Sequence, residues 1–295
     1  APVDLIWFGG IGTYVKDRTE SHLDVGDPAN DRIRVDAQTL RARAIGEGAN
    51  LGVTQAARIA FSAGGGRINT DFIDNSAGVD CSDNEVNIKI ALNREVTEGR
   101  LAQDDRNALL ARMTDDVAHL VLEDNRLQTL ALSVMENDGP VAVPSYVRVI
   151  EMLEAAGKLD RVVEGLSAND DYVRRAQDGR GLTRPELAVL LASVKLALQE
   201  AIEHAPIATD ADMAGDLLAA FPTEMRESHR QAILDHRLRG EIVATKLANR
   251  IVNRLGVLHV FELAEEEGEA LADIAAMFVA AERLFDVDAL YDRIE

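Results

Sequence analysis

The stretch AIGEGANLGVTQAARIAF, residues 44–61, runs from a strand-like segment through a glycine loop into a helix-like segment. Residues 40–45, LRARAI, alternate apolar and polar side chains, which predicts a β-strand. Residues 54–64 have the apolar spacing of a helix, and three consecutive glycines at 64–66 end it. A strand, a loop and a helix in this order predict one crossover unit of a parallel α/β sheet.

Two more strand-like segments flank this unit. Residues 3–8, VDLIWF, form a short apolar run, and residues 67–74, RINTDFID, alternate in character. Helical segments separate the strands, so we expect parallel pairing in a doubly wound sheet. Three short strands cannot bury both faces of such a sheet alone. We therefore expect residues 1–99 to be the distal part of a doubly wound sheet whose first half lies upstream.

Strand signals disappear after about residue 100. The segments that follow have helical periodicity, and Thr183 forms a capping box with Glu186 at the start of one of them. No fixed-period repeat is present, so a bundle is favoured over a solenoid. The sequence thus predicts an α/β plus all-α protein, with residues 100–295 as a C-terminal helical domain.

Composition narrows the classes of partner. The 295 residues include 31 basic and 51 acidic side chains, for a net charge of −20, and such a surface repels nucleic acid. No apolar run reaches the roughly 18 residues of a membrane span, and no signal peptide is recognisable. We therefore expect a cytoplasmic protein with neither nucleic-acid nor membrane partners.

The cysteine and histidine content argues against a disulfide and against a metal site. The single cysteine, Cys81, leaves no internal disulfide and is expected to be a small packed residue. Neither an HExxH motif nor a Cys/His cluster is present, so we expect no metal site.

Three loops rich in small residues follow the predicted strands: residues 9–14 (GGIGTY), 46–52 (GEGANLG) and 75–82 (NSAGVDCS). Doubly wound sheets bind ligands at the carboxyl ends of their strands, where glycine lets a ligand approach the backbone. The alternative is that these glycines only permit tight turns. Three loops at one edge favour a ligand site, although none has the GxGxxG dinucleotide fingerprint.

Three polar residues of the third loop have two interpretations each. Ser82 and Glu85 form a capping box, so Ser82 could cap a helix, and its hydroxyl could also meet a substrate carboxylate. Asn75 ends the third predicted strand and could either form an Asx turn or face the crevice. Asp80 could serve as a base or be an ordinary loop residue.

Three segments together resemble the large bacterial NAD-specific glutamate dehydrogenases: VDLIWFGGIGTYVK, GEGANLGVTQAARI and GGRINTDFIDNSAGVDCSDNEVNIKI. The resemblance is dense over roughly residues 1–100, and the helical remainder resembles the C-terminal region of the same class. It implies that residues 1–99 are the distal part of a Rossmann-like NAD-binding domain. The implied reaction is oxidative deamination of L-glutamate to 2-oxoglutarate and ammonia, with NAD as the cofactor. It also implies that the upstream domains of the same chain are partners, and we expect a homo-oligomer at full length.

The same resemblance implies roles for individual residues. Smaller glutamate dehydrogenases carry a related GAN loop and a related Asn-to-Ser segment. The residues expected by this likeness to bind the cofactor are Gly9, Gly10, Ile11, Gly48, Asn50 and Asn75. Ser82 is expected to contact the glutamate side-chain carboxylate. The catalytic lysine and aspartate of the family have no match here, so we expect no catalytic residue in this segment and no turnover by the segment alone.

Two other functions stay open from the sequence. One is a different amino-acid dehydrogenase with an altered substrate pocket, for which Ser82 is the relevant residue. The other is a non-catalytic helical interaction module, which would tolerate loss of Asn75 and Ser82.

A basic stripe in the helical half also has two interpretations. Its members share one helix face and either dock on an acidic partner or pair locally: Arg239, Lys246, Arg250 and Arg254. The adjacent apolar face is expected to be core.

Overall fold

The computed structural model describes residues 2–294, apart from the side chains of Asp288 and Asp292. Within this range the chain forms five strands: β1 (Val3–Phe8), β2 (Val15–Lys16), β3 (Val35–Asp36), β4 (Ala42–Glu47) and β5 (Arg67–Ile68). Strands β1, β4 and β5 form one sheet in that order, and β2 and β3 form a second. Every pairing is parallel, as expected.

Sixteen α-helices account for most of the described residues. They are α1 (His22–Val25), α2 (Gln55–Ala63), α3 (Asp71–Asp74), α4 (Ser76–Thr97), α5 (Gln103–Arg112), α6 (Thr114–Asn137), α7 (Val143–Ala155), α8 (Asn169–Gln177), α9 (Arg184–Glu203), α10 (Ala214–Ala219), α11 (Thr223–Ser228), α12 (Arg230–Leu234), α13 (Arg239–Leu255), α14 (Val257–Glu267), α15 (Leu271–Phe285) and α16 (Val287–Ile294). The expected combination of a parallel α/β part with a helical part is therefore confirmed.

Internal contacts divide the chain into two compact units. Unit 1 comprises Ala1–Val79 and Thr129–Ser193, and unit 2 comprises Asp80–Gln128 and Val194–Glu295. The boundaries fall inside α4, α6 and α9, so each unit combines segments that are distant in sequence. The division of the sequence into residues 1–99 and 100–295 stays a prediction.

The sheet of unit 1 is built as the hydrophobic pattern predicts. The central strand β4 buries Ile45, and α2 packs Ala57 and Phe61 into the same core. Thr54 caps α2, because its hydroxyl accepts a hydrogen bond from the Ala57 N–H at 3.2 Å. Burying a side chain such as Phe61 contributes about 1.5–3 kcal/mol. The helix predicted over residues 54–64 is therefore confirmed.

The third strand is much shorter than predicted. Within residues 67–74 only Arg67–Ile68 (β5) pairs with β4, and the chain then turns into the helical turn α3. The Asp71 carboxylate helps to close this turn by accepting a hydrogen bond from the Phe72 N–H at 2.9 Å. The alternating pattern is misleading because Ile73 is buried while Phe72 is 40% exposed. The prediction of a third parallel strand is confirmed for residues 67–68 and is wrong for residues 69–74.

Helix α4 also begins earlier than predicted. It starts at Ser76, so residues 75–82 do not form a strand-end loop. Ser82 is exposed in the second turn and does not cap the helix, which corrects the predicted capping box. Cys81 is exposed and not packed. Small residues at the start of the segment are compatible with a helix, and they misled the interpretation of this stretch.

Helix α13 provides much of the core of unit 2. Its apolar face buries Val243, Leu247 and Ile251, which follow one another at intervals of four residues. Of the face expected to be core, Ile242, Ala248 and Ile251 are buried, and Leu255 is only partly buried. Among the described residues, no helix is both long enough and apolar enough to cross a membrane.

Candidate cofactor-binding loops

Two of the predicted loops meet at one edge of the three-stranded sheet. The last residues of β1 and β4, Phe8 and Glu47, are paired, so residues 9–14 and 48–53 begin side by side. The Ala49 N–H continues the pairing by donating to the Phe8 carbonyl at 2.9 Å. Ile11 extends beyond this edge and is 87% exposed. The structure thus brings Gly9, Gly10, Ile11 and Gly48 to one carboxyl edge.

Two asparagines join at the same edge. The Asn75 side-chain amide donates to the Asn50 side-chain carbonyl at 2.8 Å. Asn75 follows the last residue of α3 and not a strand, and its own N–H donates to the Asp71 carbonyl. The structure therefore places these two predicted site residues in direct contact, and their role toward a ligand stays a prediction.

The glycines of residues 46–52 make room for aromatic side chains. A Cβ at Gly46 would lie 2.5 Å from Trp7 Cε3, and one at Gly48 would lie 2.6 Å from Trp7 Cζ2. A Cβ at Gly52 would lie 2.9 Å from the Phe8 ring. Side chains at these positions would collide with strand β1, so glycine is required by packing alone.

The glycines after β1 are different. A Cβ at Gly10 would meet nothing within 4 Å, and one at Gly9 would meet only the Trp7 ring at about 3.9 Å. Neither position has a left-handed backbone, so the described chain gives no reason of its own for glycine there. These two glycines are therefore the stronger candidates for close approach of a ligand.

A buried ion network lies beneath residues 48–53. Glu47 has no exposed surface, and the Arg58 guanidinium donates to both of its carboxylate oxygens, at 2.7 and 3.0 Å. Arg58 Nη2 also pairs with Asp71 Oδ2 at 3.0 Å. One arginine thus joins two carboxylates from different elements, β4 and α3.

Burial sets the protonation behaviour of this network. Burial raises the pKa of Glu47, although Arg58 opposes the shift by hydrogen bonding and charge. Burial also disfavours the charge on Arg58, but the hydrogen bonds and charges of Glu47 and Asp71 outweigh it and raise its pKa. The arginine therefore stays charged beside its two partners.

The same carboxylates hold the loop backbone. Asp71 Oδ2 accepts from the Leu51 N–H at 2.8 Å, and Glu47 Oε1 accepts from the Val53 N–H at 3.0 Å. Asp74 Oδ2 accepts from the Glu47 N–H at 2.9 Å. Sequence reasoning missed this network, although Arg58 stands among the apolar positions of α2, and a buried charge there requires a partner.

Ser82 belongs to a different unit from the other predicted site residues. It belongs to the part of α4 that lies in unit 2, whereas the predicted cofactor residues all lie in unit 1. Ser82 is exposed, and its role toward a substrate stays a prediction. Within residues 2–294, the His, Cys, Asp and Glu side chains form no group of three that could hold a metal ion.

Unit 2 has a charge cluster of its own. Its four charged residues come from four helices: Asp80, Asp124, Lys195 and Lys246. Lys246 Nζ lies 2.5 Å from Asp124 Oδ2, and Lys195 Nζ lies 3.1 Å from the Gln128 side-chain oxygen. Asp80 Oδ2 is buried without a donor facing it. Burial and the neighbouring Asp124 raise the pKa of Asp80 to about 6, while Lys246 opposes that shift. A proton on Asp80 would turn its repulsion with Asp124 into a hydrogen bond.

The basic stripe on α13 is paired within unit 2. Lys246 pairs with Asp124, Arg250 pairs with Asp216 and Glu282, and the Arg254 guanidinium lies 4.5 Å from the centre of the Tyr291 ring. Arg239 is exposed. Local pairing therefore accounts for Lys246 and Arg250, and docking of the stripe on an acidic partner stays a prediction.

Comparison with known proteins identifies the family. The model of the catalytic domain of bacterial NAD-glutamate dehydrogenase matches residues 1–135, and a glutamate dehydrogenase C-terminal model matches residues 179–295. The chain belongs to the bacterial NAD-glutamate dehydrogenase family. The resemblance inferred from three sequence segments is therefore confirmed.

Several long relatives in this family are similar along the whole segment. The chain is 46% identical over 295 residues to the NAD-specific glutamate dehydrogenase of Pseudomonas aeruginosa. It is 44% identical over 293 residues to that of Halomonas elongata, and 45% identical over 294 residues to that of Mycobacterium tuberculosis. The matches cover 99–100% of this chain, which spans 18% of the length of each relative.

Proposed function

We propose that this chain is the segment of an NAD-dependent glutamate dehydrogenase that forms the nicotinamide side of the cofactor site. The reaction is the reversible oxidative deamination of L-glutamate to 2-oxoglutarate and ammonia, in which bound NAD accepts a hydride. One observation carries the proposal: the paired amides of Asn50 and Asn75 lie at the carboxyl edge of a parallel sheet. Ligands of doubly wound folds bind at that edge. The relatives named NAD-specific glutamate dehydrogenase support the choice of cofactor and substrate.

The groups at this edge fit a nicotinamide riboside. With their mutual hydrogen bond formed, Asn50 keeps an amide donor and Asn75 keeps a carbonyl acceptor. A ribose hydroxyl both donates and accepts, so it can use such a pair. Open space beside Gly10 lets a sugar approach the backbone closely. In this role Gly9, Gly10 and Ile11 border the ribose, and Gly48 holds the course of the adjacent loop.

The sheet itself suggests where the rest of the protein joins. Strand β1 is an edge strand, and Val3, Leu5 and Trp7 on it are 41%, 56% and 59% exposed. Parallel sheets are normally covered on both faces. We therefore assign residues 1–99 to the distal half of a Rossmann-like sheet, completed by upstream strands of the same protein. The catalytic lysine and aspartate of the family would come from that upstream part, so the segment alone should not turn over substrate.

The residue assigned to the substrate is Ser82, whose hydroxyl would bind the distal carboxylate of glutamate. A carboxylate gains a charge-assisted hydrogen bond from such a donor. We further expect the complete enzyme to be cytoplasmic and homo-oligomeric. A different amino-acid dehydrogenase would keep the cofactor residues but would not need a carboxylate donor at position 82.

The test uses the full-length protein that carries this segment. NAD reduction is followed with L-glutamate, L-leucine and L-alanine, and we expect selective turnover of glutamate. Ser82→Ala should raise KM for glutamate by about tenfold with KM for NAD unchanged, because only substrate binding loses a contact. Ser228→Ala, another exposed helical serine, is the control and should change neither constant.

The outcomes separate the three candidate functions. Preference for leucine or alanine would transfer the assignment to another amino-acid dehydrogenase. A folded protein without turnover on any of the three would contradict an enzyme and favour the interaction module.

A further inference from the structure

The proposed function leaves the ion network beneath residues 48–53 without a role. We propose that Arg58 is a positioning residue for the cofactor side of the reaction: by bridging Glu47 and Asp71, it sets the course of the loop that carries Asn50. This inference rests on the proposed function. It assigns the residue to placing the Asn50 amide, with no direct contact between Arg58 and cofactor.

Arg58 contacts the same two carboxylate oxygens, one of Glu47 and one of Asp71, that hold the loop. Arg58 Nη2 donates to Glu47 Oε1 at 3.0 Å, and that oxygen also accepts the Val53 N–H. The same nitrogen lies 3.0 Å from Asp71 Oδ2, which also accepts the Leu51 N–H. One guanidinium nitrogen therefore fixes the separation of the two loop anchors.

The positive charge of Arg58 lies between two buried carboxylates. Glu47 is fully buried and Asp71 is 7% exposed, so two carboxylates share a region with little water. Without a cation between them they would repel, and one would move. Such a movement would displace a hydrogen-bond acceptor from the loop. Arg58 keeps both acceptors in place.

The backbone next to Asn50 is held by the same ion network. Leu51 has a φ of 64°, a left-handed conformation that is costly for a residue with a branched side chain. Its N–H bond to Asp71 helps to hold this conformation. Relaxation of Leu51 would swing the preceding Asn50 away from Asn75 and break their 2.8 Å hydrogen bond. The bridge at Arg58 thus acts on the proposed cofactor site through one residue.

Lysine cannot reproduce this arrangement, because it carries a point charge and lacks the planar fork of arginine. The experiment therefore compares Arg58→Lys with wild type in the full-length protein. We expect KM for NAD to rise on the order of tenfold, because small displacements of positioning groups are costly. KM for glutamate should change less than about twofold. Hydrogen exchange in a peptide covering residues 48–54 should become faster.

The matched control is Arg175→Lys in the same unit. Arg175 also makes a forked pair, at 2.8 and 2.7 Å, with a carboxylate that has no exposed surface, Glu186. That pair lies at the start of α9, where Glu186 also accepts the Thr183 N–H. The control should lower the melting temperature to a similar extent while KM for NAD and exchange over residues 48–54 stay at wild-type values.

A second variant covers the case in which Arg58→Lys does not fold. Asp71→Asn keeps an acceptor for the Leu51 N–H but removes the charge that faces Arg58. It should raise KM for NAD by a smaller factor, about threefold, and it should also speed exchange of the loop. An unchanged KM for NAD in a folded variant, with only a lower melting temperature, would overturn the inference.

The two proposals fail in different ways. If wild type does not oxidise glutamate with NAD, the proposed function is wrong, and equilibrium binding of NAD then replaces KM. If wild type is active and loop exchange is identical in Arg58→Lys and wild type, the positioning role is wrong while the enzyme assignment stands.

Discussion

Each unit contains a cluster of two aspartate or glutamate carboxylates with basic partners, and the two clusters behave differently. In unit 1, a single arginine satisfies Glu47 and Asp71. In unit 2, two lysines accompany Asp80 and Asp124, yet one oxygen of Asp80 is buried without a donor. Formal charge is better balanced in the second cluster, but the pKa values of Asp80 and Lys195 are shifted further from their ordinary values.

The difference shows that donor geometry decides more than the count of charges. The guanidinium offers several N–H groups in one plane and reaches three carboxylate oxygens of two residues. In unit 2, Lys246 pairs with Asp124, while Lys195 donates to the neutral Gln128. Burial of a carboxylate that is short of donors raises the pKa of Asp80 to about 6. Burial lowers the pKa of Lys195 to about 8, although the charge of Asp124 opposes that shift.

The largest effect is expected when the unit 1 cluster loses its cation. Arg58→Met leaves Glu47 and Asp71 buried without a basic partner, which should cost about 3–5 kcal/mol of stability. Chemical denaturation followed by circular dichroism measures this loss. The control is Arg43→Met, because Arg43 and its partner Asp4 have side chains that are 82% and 87% exposed. Removal of that surface pair should cost less than about 1 kcal/mol. Equal losses in the two variants would contradict the comparison.

An intermediate effect of opposite sign is expected at Asp80. Its folded-state pKa of about 6 exceeds the ordinary value of 3.8, so the folded protein favours the protonated carboxyl. The associated stability is present below pH 4 and is lost as the pH rises from about 4 to about 6. Asp80→Asn cannot ionise and should be more stable than wild type by about 1–2 kcal/mol above pH 7, with little difference near pH 4.

Unfolding curves at a series of pH values test this prediction. Glu262→Gln, an exposed position on α14 away from this cluster, serves as the control and should show a difference from wild type that changes little between pH 4 and pH 8. A gain for Asp80→Asn that is equal at pH 4 and pH 8 would show that ionisation of Asp80 is not its cause.

The smallest effect is expected at Lys195. Burial lowers its pKa from 10.5 to about 8, so the folded state disfavours the charged amine. Wild type should therefore gain stability as the pH rises from about 8 to about 10.5. Lys195→Met should be more stable at pH 7 by only about 0.5–1 kcal/mol, because loss of the hydrogen bond to Gln128 offsets part of the gain. Melting temperatures at pH 7 and pH 10 check the sign, and a larger advantage at pH 10 would contradict it.

The sequence predicted the local elements that carry a clear hydrophobic period. The helix at residues 54–64 follows from apolar positions that are buried in the core. The strand at residues 3–8 follows from its high β-propensity, but the expectation that it is buried is wrong, because most of its side chains are exposed. The segment 67–74 has the alternation of a strand, but tertiary hydrogen bonds to Asp71 and Asp74 favour a helical turn. Alternation over so few residues does not outweigh such contacts.

The candidate site divides in the same way. The family resemblance brought Asn50 and Asn75 to one place, and the structure joins their side chains. The ion network could not be predicted from the sequence, because Glu47, Arg58 and Asp71 meet only after β4, α2 and α3 have packed. The role of Trp7 was missed for a related reason, since no local pattern states which ring will lie against a glycine on another strand.

The position of Trp7 has a spectroscopic consequence. It is the only tryptophan in the 295 residues, and its ring lies against Gly46 and Gly48, close to Gly9. Indole emission overlaps the absorption band of a reduced nicotinamide, so energy can pass from one to the other. The efficiency of this transfer falls steeply with the distance between them. At the proposed cofactor site Trp7 would therefore act as an optical donor, and a change in its emission would report the binding of a reduced dinucleotide to this segment.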